Sequence, residues 1–164
     1  MISLFGAGFI GGEFSERYKD VEIIPREQRI PNYPEIVNFI SSVDNYNVKT
    51  NIYKDVETNI TITLEILDAA RTRFGTEVVF NYISTWFVYG NTQLPAKEDE
   101  SPCNPKGFYS ITKRAAEELV ISYCETCGLR YRILRLGNVI GIGDKKISAK
   151  KNALQYMIRE LAQN

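Results

Sequence analysis

With 164 residues, 44% of them hydrophobic, the chain is long enough for one domain with a packed core. Twenty lysines and arginines balance twenty aspartates and glutamates with no long block of either sign, so neither a nucleic-acid groove nor a charged membrane patch is expected. Histidine is absent, which excludes His-based triads, and a lone Cys124-x-x-Cys127 with Cys103 does not make a closed zinc site, so no metal is expected.

The chain enters a strand-like run at Ile2 without a basic leader, so neither a signal peptide nor a membrane span is expected and a cytoplasmic location is the default. That strand runs into Gly6, Gly8 and Gly11 at GxGxxG spacing, and residues 13–18 suit a helix. Strand, glycine turn and helix in this order point to dinucleotide binding. Gly6 serves the tight turn, Gly8 the close approach of a pyrophosphate and Gly11 the packing of helix on strand, with Phe9 and Ile10 completing the turn. The helix N-terminus then faces the anion.

Val21 to Ile24 reads as the second strand, followed by Pro25-Arg26-Glu27-Gln28-Arg29. Arginine at this place suits the 2′-phosphate of NADP, and Glu27 suits the ribose hydroxyls of NAD, so NADP or NAD is expected, with Arg26 favouring NADP. The next apolar run, Ile36 to Ser41, follows too soon for a complete strand and helix to intervene. The unit is therefore abbreviated between the second strand and this one. Residues 55–73 follow as a helix with Val56, Ile60, Leu64 and Leu67 on one face and Asn59 near its start.

Val78 to Ser84 reads as a fourth strand and leads into Thr85-Trp86-Phe87-Val88-Tyr89-Gly90. A helix over 107–127 carries Tyr109 and Lys113 four residues apart, and Gly128 caps its end. Ala116, Val120, Tyr123 and Cys127 fall at helical spacing, so Cys127 is expected as a buried apolar residue. Arg130 to Leu136 is a fifth strand, Gly137 to Gly143 a glycine-rich loop, and 152–162 a last helix. Alternating strands and helices predict an α/β, Rossmann-like, three-layer doubly wound parallel sheet. Ligands of such sheets lie beyond the carboxyl ends of the strands, where Gly6, Ser41, Thr85 and Gly137 fall. Tyr109 and Lys113 share a helix face, and a nearby ammonium is expected to draw the phenol towards neutrality and make it a proton shuttle.

In this order the motifs resemble the extended short-chain dehydrogenase/reductase superfamily, in its NAD(P)-dependent nucleotide-sugar epimerase/dehydratase branch. The residues that carry the resemblance are Gly6 to Gly12, Ser84-Thr85 with Val88-Tyr89-Gly90, Tyr109 with Lys113, and Arg135 to Gly141. The resemblance implies that Thr85, Tyr109 and Lys113 are catalytic. Thr85 would hydrogen-bond the sugar oxygen, Tyr109 would be the acid/base, and Lys113 would hold the nicotinamide ribose. It also implies that Gly6, Gly8, Phe9, Ile10, Gly11, Arg26, Ser41, Tyr109 and Lys113 bind cofactor, and that Ser84, Thr85, Asn138 and Asn152 bind substrate, a nucleotide sugar. A homodimer through the helices of 55–73 and 107–127 is a further implication.

Two departures bear on the reaction. The 4,6-dehydratases of this branch carry an Asp-Glu pair after the threonine, whereas this chain has Trp86 and Phe87, so sugar dehydration by that mechanism is not expected. An epimerase or a ketoreductase fits equally. Relatives continue past the last helix into a substrate lobe, so residues 1–164 are expected to be a NAD(P)-binding Rossmann domain whose substrate lobe is truncated. The alternative is a non-catalytic dinucleotide-binding or sensor module of the same fold.

Overall fold

The computed structural model describes residues 1–43, 47–141 and 153–163. Its centre is a parallel sheet of β1 (Ile2–Phe5), β2 (Val21–Ile24), β3 (Glu35–Asn38), β4 (Val79–Thr85) and β5 (Arg130–Leu136) in the order β2-β1-β3-β4-β5. The helices are α1 (Phe9–Arg17), α2 (Lys54–Val56), α3 (Ile62–Phe74), α4 (Phe108–Cys127) and α5 (Ala153–Gln163), with a π-helical turn, Glu57–Thr61, joining α2 to α3. No helix among the described residues is long and apolar enough to cross a membrane.

Strand order reverses at β1, which pairs with β2 on one side and β3 on the other. Right-handed crossovers running in opposite directions place α1 on one face of the sheet and α3 and α4 on the other. The main core lies on the α3/α4 face: Phe5, Ile24, Ile36, Phe80 and Tyr82 from the strands meet Ile66, Leu67 and Ala70 of α3 and Ala116, Val120 and Cys124 of α4. Leu4, next to Phe5 and therefore on the other face, is buried outside that cluster. The doubly wound architecture is as the alternation of elements predicts.

The abbreviated connection is present too. Residues 25–34 cross from β2 to β3 without a helix, held by Ser3 at the centre of the sheet. Its Oγ accepts from the amides of Asn32 (2.9 Å) and Tyr33 (2.8 Å) and donates to the Tyr33 carbonyl (3.3 Å). A single buried hydroxyl thus satisfies backbone groups that a helix would otherwise pair.

Several boundaries differ from the sequence expectation. The strand expected over Ile36 to Ser41 ends at Asn38, because the Asn38 side chain accepts from the Ile40 amide (3.0 Å) and turns the chain out of the ladder. This moves Ile40 and Ser41 out of the sheet and onto its carboxyl edge. Helix α1 starts at Phe9 rather than Glu13, directly on the glycine turn. On α4 the fully buried cysteine is Cys124, in register with Ala116 and Val120, while Cys127 is only partly buried at the rim of the core. The face of β4 and β5 away from α4 is polar at its centre. Arg132 donates to Asn81 (2.8 Å) and reaches Glu35 (3.4 Å), and Asn81 donates to the Ile36 carbonyl (2.8 Å).

Candidate active site

An open cleft of about 1630 Å³ runs along the carboxyl edge of the sheet. At one end lies the turn from β1 to α1. A Cβ on Gly11 would stand 2.2 Å from the Gly6 carbonyl oxygen, and Gly6, with φ +89°, would put one 2.7 Å from the Ile40 amide nitrogen. Those two positions have no room for a side chain. Gly8 is different: nothing lies within 4 Å of where its Cβ would be, so its backbone opens onto the cleft. Helix α1 receives no side-chain cap and has no acidic residue in its first turn, leaving its amides to an outside acceptor. Close packing beneath and open space above is the shape a dinucleotide's pyrophosphate requires. Phe9 and Ile10 line the same end, and so does Arg26, which follows β2.

Arg29 is committed elsewhere, to Glu65 on α3 (3.1 Å) and to the Arg26 carbonyl (2.6 Å). Arg26 itself is exposed and makes no ion pair among the described residues.

Ser41, Thr85, Tyr109 and Lys113 converge at the middle of the cleft. Thr85 ends β4, and its Oγ1 accepts from the Phe87 amide (3.3 Å), capping the turn Trp86–Tyr89. Helix α4 then turns Tyr109 and Lys113 towards that strand end. Lys113 is 1% exposed, and its ammonium donates to the Ile83 carbonyl (2.7 Å) and lies 4.1 Å from the centre of the Tyr82 ring. Burial pulls Lys113 down to about 7, with Glu117 acting against it. Tyr109 is raised above the ordinary phenol value by burial, while hydrogen bonding with Ser41 and Thr85 draws it back in part. The expectation that the lysine brings the phenol towards neutrality is therefore corrected. In this structure the ammonium is spent on a carbonyl and a ring face, and the hydroxyls of Ser41 and Thr85 are the groups that favour the phenolate.

The remaining expected residues divide. Asn138 is exposed in the loop after β5 and lines the cleft. Ser84 also borders it, but its buried Oγ makes no well-formed hydrogen bond and lies against Glu117, whose ionised form it favours. Asn152 lies outside the described residues. Trp86 and Phe87 stack at 4.8 Å between ring centres, and Phe87, 41% exposed, borders the cleft beside Thr85.

Sequence reasoning assigned no role to Asn59, and the structure makes it the hub of the site's support. Fully buried in the π turn, its Oδ1 accepts from the Ser42 amide (2.9 Å) and the Ser41 hydroxyl (3.1 Å). Its Nδ2 donates to Ser42 Oγ (2.9 Å) and to Thr112 Oγ1 (3.0 Å), next to Lys113. An amide among Ile60, Leu64 and Leu67 was the available signal. Glu117 and Arg135 were also missed as a pair, since they stand on different elements and meet only in the fold.

Comparison with known proteins follows this geometry. Residues 28–164 match the model of the NAD dependent epimerase/dehydratase family. The chain belongs to that family. A dTDP-glucose 4,6-dehydratase of Mycobacterium tuberculosis is 31% identical over 125 residues, 74% of this chain and 36% of that protein. A GDP-6-deoxy-D-mannose reductase of Pseudomonas aeruginosa is 31% identical over 134 residues, 77% of this chain and 43% of that one. The chain thus spans less than half the length of these family members. Among solved structures, UDP-glucose 4-epimerase of Thermotoga maritima with UDP-glucose superposes with a TM-score of 0.83 at 19% identity, over 99% of this chain and 63% of its own. The RMD of Pseudomonas aeruginosa, complexed with NADPH, superposes with a TM-score of 0.75 at 23% identity, over 88% and 57%. At these identities the superpositions show the shared fold.

Proposed function

We propose that the protein is an NAD(P)-dependent oxidoreductase or epimerase that moves a hydride at a carbon of a nucleotide-activated sugar. The observation that carries this reading is the meeting of Thr85, Tyr109 and Lys113 in one cleft with the Gly6 to Gly11 turn. Membership of the family and relatives named for dTDP-, GDP- and UDP-sugars support it.

NAD(P), when bound, supplies the hydride acceptor or donor. Gly6, Gly8, Phe9, Ile10 and Gly11 would hold its pyrophosphate, Arg26 the 2′-phosphate of NADP, and Lys113 the nicotinamide ribose, with Ser41 beside them at the end of β3. Thr85 hydrogen-bonds the sugar oxygen, and Tyr109 takes the proton from that oxygen during oxidation or returns it during reduction. Ser41 and Thr85 prepare Tyr109 for this by favouring its phenolate. Ser84, Asn138 and Asn152 are proposed on the substrate side.

Trp86 and Phe87 favour an epimerase or ketoreductase over a 4,6-dehydratase, because two aromatic rings beside Thr85 exchange no proton with a sugar. The test is turnover of UDP-, dTDP-, CDP- and GDP-sugars with NADPH and NADH. Conversion without water loss is expected. Bound cofactor with no turnover of any sugar overturns the enzyme reading and leaves a dinucleotide-binding module. Sedimentation equilibrium tests the homodimer that the resemblance implies.

A further inference from the structure

Two charged side chains are sealed inside this molecule on adjacent turns of α4, Lys113 at 1% exposure and Glu117 at 0%. Glu117 sits at the junction of three elements. Arg135 of β5 forks onto it through Nε (3.1 Å) and Nη2 (2.9 Å), Arg114 of α4 donates from Nη1 (2.8 Å), and the Ser84 hydroxyl of β4 lies against it. The Arg135 guanidinium also stacks over the Tyr89 ring at 4.8 Å. Arg135 is two residues before Gly137-Asn138, so this fork fixes the end of β5 to the helix that carries Tyr109 and Lys113.

Lys113, by contrast, touches neutral groups among the described residues, the Ile83 carbonyl and the Tyr82 ring. The titratable groups that bear on it are Tyr82 of β4, whose ring it overlies, and Glu117 on the next turn of α4, while Arg114 of α4 and Arg135 of β5 are engaged with Glu117. Glu117 is the charge that acts on it, and it acts to keep the ammonium protonated against burial. For stability alone, a buried carboxylate between two arginines has no advantage over an apolar contact, because desolvating it costs what the pairs return. Its place one turn from a lysine with no anionic contact among the described residues supplies a reason.

We propose that Glu117 is a positioning residue that holds Lys113 in its cationic form for cofactor and, through Arg135, ties the substrate loop after β5 to the same helix. This rests on the reading of Lys113 as the cofactor-binding lysine. The sign is set by charge. Removing the carboxylate takes away the charge that opposes burial at Lys113, which disfavours the ammonium. Removing Arg114 leaves Glu117 less neutralised, which favours it.

The test is NMR titration of the lysine ammonium groups in the full 164-residue chain, with the Lys113 signal assigned by its loss in Lys113→Met. Fluorescence titration of NADPH and NADH across the same pH range accompanies it. Glu117→Gln is expected to move the Lys113 midpoint down by about one pH unit or more, and Arg114→Gln to move it up. Glu117→Asp, which keeps the charge, is expected to restore most of the shift. Cofactor affinity should fall as pH rises through the midpoint of each variant, and so at lower pH in Glu117→Gln. A uniformly weaker affinity at every pH, with the lysine midpoint unmoved in both variants, overturns the proposal. If Glu117→Gln does not fold, the upward shift in Arg114→Gln decides alone. Failure of the underlying reading looks different: wild-type chain binds neither cofactor at any pH, while the lysine midpoints still shift as expected.

Discussion

Replacing Tyr109 by phenylalanine removes one oxygen from the middle of the cleft. Cofactor affinity should stay within a few-fold of wild type, while turnover falls by at least about a hundredfold, the scale of losing a general acid/base. An unchanged rate removes Tyr109 from the mechanism. Arg26→Ala is expected to weaken NADPH more than NADH, since Arg29 is held by Glu65 and Arg26 is left to meet a 2′-phosphate. Equal losses would make it a loop residue. At this scale the placement of Ser41, Thr85, Tyr109 and Lys113 at one cleft was legible, because strand ends and helix spacing can be read from the sequence. Their protonation was not. The spacing of Tyr109 and Lys113 says that they share a face, but it does not say that Lys113 is turned onto the Ile83 carbonyl or that burial dominates Tyr109.

At the scale of elements, the turn from β1 to α1 and the π turn hold the site together. Gly11→Ala would press a methyl group into the Gly6 carbonyl and is expected to cost about 3 kcal/mol as overpacking against backbone. Urea unfolding should show it as a lower midpoint at unchanged slope. Asn59→Ala deletes a group that makes four hydrogen bonds and strands the Ser42 amide inside the protein, so a loss of roughly 3 kcal/mol is expected. It should also weaken cofactor binding, through Ser41, whereas Gly11→Ala acts at the turn from β1 to α1. The glycine turn was legible because sterics permit so few residues there. The π turn was not, since no glycine or proline announces it and its cause is an amide satisfied by partners 17 and 53 residues away. The early end of β3 was hidden for the same reason: Ile40 and Ser41 continue an apolar run, and a side-chain bond from Asn38 removes them from the ladder.

For the whole molecule, the doubly wound order and the missing crossover helix could be read from element lengths, because too few residues separate β2 from β3 to do anything else. How that bare crossover is held, by Ser3 of β1 and Glu22 of β2, had no sequence signal. Global stability carries a pH signature of the buried lysine. With Lys113 near 7 in the folded chain and an ordinary unfolded lysine near 10.4, the unfolded chain binds the extra proton between those values. Stability should therefore rise with pH across that window, by on the order of 4 kcal/mol. The gain turns over near pH 10, where Tyr82 and Tyr109, both held above the ordinary phenol value by burial, ionise more readily in the unfolded chain. Glu117 works at the other end. Its pairing holds it below the usual carboxylate range, so its stabilisation is full at neutral pH and is lost as pH falls through its folded value. Denaturant midpoints measured from pH 6 to 10 check the lysine's rise, which Lys113→Met should flatten, and a series continued down to about pH 2 checks the loss at Glu117. The polar stripe of Glu35, Asn81 and Arg132 bears on solubility as well. Strand β5 ends the sheet among the described residues, and Arg130 and Arg132 both point from its exposed face. A second strand laid antiparallel along that edge would bring arginine near arginine, which disfavours the pairing. With valine at both places, light scattering should reveal aggregates under conditions where the parent chain stays clear.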